Sequence, residues 1–235
     1  MVQASAVHQS TVPKVQARVA LIGLDPGIAT ILRDGFKQFG IQTVVLDQSS
    51  AEDQINKQKY EACVVTLDDS ATEVLAAVRK SKSNNRMVVY GICATAQEAL
   101  HFSQFGINAI FNSPVDRPNA LKVIRATHLL VVHELRRYVR IPIVCPLEVR
   151  NDGIDYRGSL HEISGGGMSL EISVPLTMGQ NVEVSFRLPN IEALSLRAVV
   201  AWVRRDQRLI GLRFDPQEPN RFRVKNWIDQ YLDIS

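Results

Sequence analysis

Cysteine is scarce in this chain, and none of it is arranged for chemistry. The 3 cysteines, Cys63, Cys93 and Cys145, stand singly in apolar runs, without Cys-x-x-Cys spacing or clustered histidine. That pattern excludes a disulfide framework and the common zinc motifs, and it predicts buried thiols in a reducing compartment. No apolar run approaches the ~20 residues needed to cross a bilayer, so no membrane partner is expected. The first fifteen or so residues are polar and mixed, and lack the basic-then-apolar order of a secretory signal; a disordered tail over 1–16 and a cytoplasmic chain are expected. Internal repeats and low-complexity tracts are missing. So is any Ser/His/Asp, Cys/His or metal constellation, which gives no catalytic residue and no cofactor and predicts a protein that is not an enzyme. The net charge of +3 is too small for a polyanion-coating surface. With no helix-turn-helix signal either, DNA is not an expected partner.

What is present is ordinary for a globular protein: 235 residues, 46% hydrophobic and 22% charged, enough for one large domain or two small ones. Lysines are spread through the first half, but after Lys122 only Lys225 remains, while arginines continue throughout. The shift suggests a boundary near 135 and favours directional, bidentate contacts in the second half over diffuse charge.

The texture of the chain changes at the same place. Apolar strand-like runs at 18–22, 42–46, 62–66, 87–92 and 109–111 alternate with helical patterns at 28–39, 52–59, 71–82 and 96–105, with Gly40 and Gly106 as stops. Pro118 opens a long helix whose apolar residues are Leu121, Ile124, Leu129, Val132 and Leu135. Continuous apolar strands between helices imply a parallel sheet covered on both faces, and five βα units imply a doubly wound, flavodoxin-like α/β domain over 17–135. Beyond Arg140, short strands at 144–150, 155–163, 168–172, 181–188, 195–204 and 209–214 are separated by turn signals such as Asn151-Asp152-Gly153. This half, 136–235, reads as a small antiparallel β-barrel with a closing helix over 221–232. Phe186, Trp202 and Phe214 read as core residues, and Arg204, Arg205 and Arg208 as cover for a hairpin end.

Two elements concentrate chemistry. Arg136-Arg137-Tyr138-Val139-Arg140 is an R-x-x-x-R where a helix gives way to a strand. Glu162-Ile163-Ser164-Gly165-Gly166-Gly167 is an acid-x-Ser-x-x-Gly at a glycine-rich turn. A guanidinium fork takes guanine O6 and N7 together, pairs bidentately with phosphate, or stacks on a base. A carboxylate accepts from the guanine N1–H and N2–H₂ donors, and a serine hydroxyl adds a small hydrogen-bonding group. Glycine lets a base or backbone approach closely. Together these groups suit a ligand that is both anionic and guanine-bearing.

On these residues, 136–235 resembles a PilZ domain, the bacterial receptor module for cyclic di-GMP. Arg136, Arg137 and Arg140 match the family's R-R-x-x-R form; Ser164 and Gly167 match its D/N-x-S-x-x-G. Runs 198–204 and 210–214 look like its late strands. The resemblance implies cyclic di-GMP as ligand, held by Arg136, Arg137, Arg140, Glu162, Ser164 and Gly167. Glu162 departs from the preferred Asp or Asn by one methylene. His161 is assigned no role.

The first half resembles a response-regulator receiver domain, its 106–115 segment being similar to that family's closing G-A-x-x-Y-L-x-K-P stretch. Receivers need an acceptor Asp ending strand three, an acidic pair after strand one, and a Lys before the Pro. Thr66, a single Asp25, and Ser113 stand at those positions. Aspartyl phosphorylation needs metal, nucleophile and cation together, so a degenerate receiver is expected, acting on an unidentified protein partner or in a homodimer. The leading expectation is a receptor that relays ligand binding to this domain. Two alternatives stay open: a ligand-blind interaction module, and a phosphorylation-controlled regulator with Asp68 or Asp69 as acceptor.

Overall fold

A computed structural model describes residues 15–204 and 208–232. The expected tail lies almost wholly outside these residues, as does Arg205; Val15 packs against the hydrophobic cores of both halves.

The first half is the five-unit α/β layer. Strands β1 (Arg18–Ile22), β2 (Gln42–Leu46), β3 (Ala62–Thr66), β4 (Val88–Cys93) and β5 (Ala109–Asn112) form a parallel sheet in the order β2-β1-β3-β4-β5. This 2-1-3-4-5 order is the flavodoxin-like one. Period-two alternation sends neighbouring residues of one strand to opposite faces. Val19, Leu21, Val64, Tyr90 and Ile92 pack under α1 (Pro26–Lys37) and α5 (Arg117–Tyr138). Ala20, Ile22, Cys63, Val65 and Val89 pack under α2 (Ala51–Lys57) and α3 (Ala71–Lys80). Burying a Val, Leu or Ile side chain contributes about 1.5–3 kcal/mol, which is why these β-branched runs specify the sheet. Helix starts are locally encoded. Asp25 accepts from the Gly27 amide at 2.7 Å ahead of α1, and Asp116 accepts from the Asn119 amide at 2.9 Å ahead of α5. At α4 (Ala96–His101) the Thr95 hydroxyl accepts from the Glu98 amide at 3.3 Å, and the Glu98 carboxylate accepts from the Ala94 amide at 3.0 Å, a variant of the capping box.

The second half is a closed barrel. Strands β6 (Ile141–Asn151), β7 (Ile154–Ser164), β8 (Gly167–Ile172), β9 (Asn181–Phe186), β10 (Leu194–Arg204) and β11 (Leu209–Phe214) run in the order β10-β11-β8-β7-β6-β9, and β9 pairs back onto β10. The β6–β7 hairpin turns at Asp152 and Gly153, with φ of 50° and 79°, the left-handed pair that an Asp-Gly turn supplies. Helix α6 (Arg221–Tyr231) plugs the barrel with Val224, Trp227 and Ile228, and the Trp227 indole N–H donates to the Pro189 carbonyl at 2.9 Å. Phe186 and Phe214 are core residues, while Trp202 is only half-buried and fills the space left by Gly211.

Further details differ from the sequence reading. Helix α5 does not stop at Leu135; it continues to Tyr138 and ends at Val139, whose ψ of 133° and buried side chain turn the chain into β6. Strand β6 starts at Ile141, earlier than 144, because Ile141 pairs with Ile163 and is fully buried despite the proline beside it. Cys63 and Cys93 are buried, but Cys145 is only half-buried on β6.

Candidate functional site

The end of α5, the β7–β8 turn and α6 enclose a hollow of about 330 Å³, lined by His133, Arg136, Arg137, Gly165, Gly166, Arg221, Lys225, Ile228 and Asp229. The walls follow from helical spacing. His133 and Arg137 are four apart on α5, and Arg221, Lys225 and Asp229 are four apart on α6, so each set shares one helix face.

Arg136 and Arg137 therefore belong to a helix, in its last turn, where a cation also complements the C-terminal partial charge. Arg136 Nε meets Asp229 Oδ1 at 2.7 Å, with both side chains about one-third exposed, at 34% and 31%. Arg137 Nη1 lies 3.1 Å from Glu134 Oε2, and its guanidinium sits 5.5 Å from the Tyr138 ring centre. Arg140 lies past the helix, exposed, one residue before β6, and makes no hydrogen bond or ion pair among the described residues. The R-x-x-x-R is thus split between a helix and an extended link.

On the barrel side, Ile163 is buried in the core, so its neighbours Glu162 and Ser164 point to the outer face. Glu162 pairs across to Pro142 and Ser169 and is half-buried. Ile141 pairs with Ile163, which brings Arg140 into line with Ser164 one step further along the ladder. The Ser164 hydroxyl donates to the Gly167 carbonyl at 3.0 Å and accepts from the Gly166 amide at 3.4 Å, so it stitches the turn. A Cβ on Gly167 would overlap the Leu212 carbonyl oxygen of β11, whereas one on Gly166 would meet nothing within 4 Å. The structure gathers Arg136 and Arg137 with the Gly165–Gly166 backbone. Arg140, Glu162, Ser164 and Gly167 stand beside that hollow and not on its walls.

Arg221, Lys225 and Asp229 were not singled out from the sequence; their i, i+4, i+8 spacing places them on one helix face but does not mark that face as a site. Arg221 donates to the carbonyls of Gly165 at 3.3 Å and Pro216 at 3.0 Å, which ties α6 to the turn. Chemically, the hollow offers four cations against one carboxylate, beside a bare peptide surface, and so selects an anion with flat, hydrogen-bonding parts.

Behind the hollow lies a buried polar bridge to the first half. Glu134 is 3% exposed, and its Oε1 pairs with Lys59 Nζ at 3.2 Å while Oε2 holds Arg137. The same ammonium lies 4.1 Å from the Tyr138 ring centre. Nearby Glu61 is also buried, and burial pushes its carboxyl above the ordinary value, against the pull of the Arg18 amide that donates to it at 2.7 Å.

At the C-terminal end of the parallel sheet, Thr66 closes β3, and Asp68 accepts from the Ser70 amide at 2.9 Å and hydroxyl at 2.6 Å. Asp25 is the N-cap of α1. Among the described residues, no three His, Cys, Asp or Glu side chains gather in a metal-holding group, and no helix is long and apolar enough to cross a membrane.

No curated protein matches the chain. Among solved structures it is similar to the chemotaxis response regulator CheY4 of Vibrio cholerae, with 13% identity over 48% of this chain and 98% of that one and a TM-score of 0.43. It is similar also to the PilZ domain of CeSA from a cellulose-synthesizing bacterium, with 20% identity over 41% of this chain and 97% of that one and a TM-score of 0.33. A third is the Bacillus subtilis inhibitor of motility, MotI/DgrA, with 17% identity over 42% of this chain and 52% of that one and a TM-score of 0.35. The family model described as PilZ domain matches residues 134–233, the stretch that holds the barrel, α6 and every residue of the hollow except His133. The second half of this chain is a PilZ domain, joined through α5 to a flavodoxin-like sheet of receiver topology.

Proposed function

We propose that the chain is a non-catalytic, cytoplasmic receptor for cyclic di-GMP that relays occupancy of its PilZ domain to the receiver-like domain. The observation that carries this reading is the cationic hollow at the glycine turn, which has Arg136 and Arg137 on its wall and Arg140, Glu162 and Ser164 beside it. Cyclic di-GMP presents two phosphates and two guanine faces. Arg136 and Arg137 are suited to phosphate or to guanine O6 and N7, Arg140 to stacking or a second fork, and Glu162 to the guanine donors. Gly167 acts by keeping β8 tight against β11, which sets where the turn stands.

The relay runs through Glu134. A ligand that draws Arg137 into the hollow leaves this buried carboxylate with Lys59 of the first half as its partner, and the Lys59–Tyr138 contact shifts with it. Because α5 crosses residue 135 without a break, we place the division between the domains inside this helix, so that it acts as the lever. The receiver-like domain then serves as the surface for a protein partner or a second copy.

The rival reading, a ligand-blind interaction module, draws on one observation: Asp229 already neutralises Arg136. Calorimetric titration with cyclic di-GMP of the wild type and of Arg136→Ala/Arg140→Ala separates the two. The receptor reading predicts a saturable heat that the double variant loses; absence of heat in a folded wild type supports the rival.

A further inference from the structure

The hollow has a second charged wall that the α5 arginines do not account for. Lys225 follows Arg221 by one turn of α6, and both line the hollow. The Lys225 stem lies along the turn, since a Cβ on Gly165 would come within 3.3 Å of Lys225 Cγ and 3.7 Å of its Cε. The stem is therefore guided by backbone, and the ammonium it carries has no carboxylate partner among the described residues. Arg221 is oriented by three carbonyls, those of Pro216, Gly165 and Asp215 at 3.0, 3.3 and 3.5 Å, which hold a guanidinium without neutralising it. The first turn of α6 carries no acidic residue; the carboxylate nearest its start, Glu218, accepts from the Asn220 amide at 3.4 Å and pairs with Arg197. On the walls, Asp229 is the one carboxylate among the described residues, and it faces Arg136.

We infer that Arg221 and Lys225 form a second phosphate-holding subsite of this hollow, so that a ligand with two phosphates is gripped from α5 and from α6 at once. The inference rests on the reading of the hollow as the cyclic di-GMP site and adds to it residues outside both motifs. It makes α6 a ligand-contacting element as well as the plug of the barrel.

The test uses the full chain and Lys225→Gln, which keeps the stem and removes the charge of an exposed residue; thermal melting checks that the fold is kept. Calorimetry with cyclic di-GMP is run at low and high salt. The expected result is binding weakened about tenfold in Lys225→Gln, with a shallower salt dependence, and recovered in Lys225→Arg. Equal affinity and equal salt dependence in wild type and Lys225→Gln overturn the inference. If the wild type takes up no cyclic di-GMP, the functional reading fails, and inorganic pyrophosphate becomes the probe, read as a shift in melting temperature. Stabilisation that Lys225→Gln loses then supports the subsite by itself. No stabilisation, or the same stabilisation in both proteins, overturns it.

Discussion

Arg136 on α5 and Asp229 on α6 meet at 2.7 Å across the hollow, so the leading arginine of the ligand motif is already paired with a carboxylate of its own chain. In the proposed receptor, an incoming phosphate competes with Asp229 for that guanidinium. Replacing Asp229 with Asn removes the competitor. The expected outcome is tighter cyclic di-GMP binding, by about three- to tenfold, at a stability cost of about 0.5–1 kcal/mol, since a pair this exposed contributes little. Calorimetry and denaturant unfolding of Asp229→Asn read the two effects, and weaker binding in this variant would show that Asp229 positions Arg136 and does not compete for it.

The two neighbouring glycines of the turn separate fold from ligand. Gly167→Ala drives a methyl into the Leu212 carbonyl of β11, and should destabilise the chain by about 2 kcal/mol or more. Gly166→Ala meets open space and should leave the melting temperature within a degree or two, while crowding the floor of the hollow. Urea unfolding of both variants, followed by cyclic di-GMP titration of Gly166→Ala, checks this. Equal stability for the two alanine variants would contradict the packing assigned to Gly167.

Glu61 gives the first half a pH dependence. Burial holds its folded-state pKa above its unfolded value, so the folded protein keeps a proton that the unfolded chain has released. Stability from this group is therefore present below the ordinary carboxyl value of about 4.5 and is lost as pH rises through the folded pKa. Glu61→Gln keeps an acceptor for the Arg18 amide and removes the charge. It should be more stable than wild type at pH 7, with the gain shrinking toward pH 4, as read by chemical denaturation across that range.

In the proposed relay, Glu134 couples the ligand site to the first domain. Glu134→Gln keeps the shape but weakens its pairs with Lys59 and Arg137. The expected loss is about 1–2 kcal/mol of stability, because the carboxylate is buried while its partners are partly exposed. Cyclic di-GMP binding should persist, and any ligand-dependent change in solution scattering of the wild type should shrink. A full scattering response in Glu134→Gln would remove it from the relay.

Most of the architecture was legible because period-two and continuous apolar runs translate directly into strands. The runs 18–22, 42–46, 62–66 and 209–214 coincide with β1, β2, β3 and β11. The end of α5 was not legible, because Arg136 and Tyr138 in its last turn meet Asp229 and Lys59, residues that lie far along the chain. The start of β6 was hidden by Pro142, which breaks an otherwise apolar run yet fits where the β6–β7 ladder is irregular. At the site, the arginine and glycine segments could be read from spacing. The α6 wall could not, because Arg221, Lys225 and Asp229 look like the solvated face of any amphipathic helix until the barrel brings that face to the turn.

In the proposed receptor, cyclic di-GMP lies between the end of α5, the β7–β8 turn and the first two turns of α6. Amide hydrogen exchange of the full chain with and without saturating cyclic di-GMP tests this most directly. The expected result is slower exchange at residues 133–140, 163–167 and 221–229, with the outer wall of β9 and β10 unchanged. Unchanged exchange throughout, or protection confined to other surfaces, would contradict it.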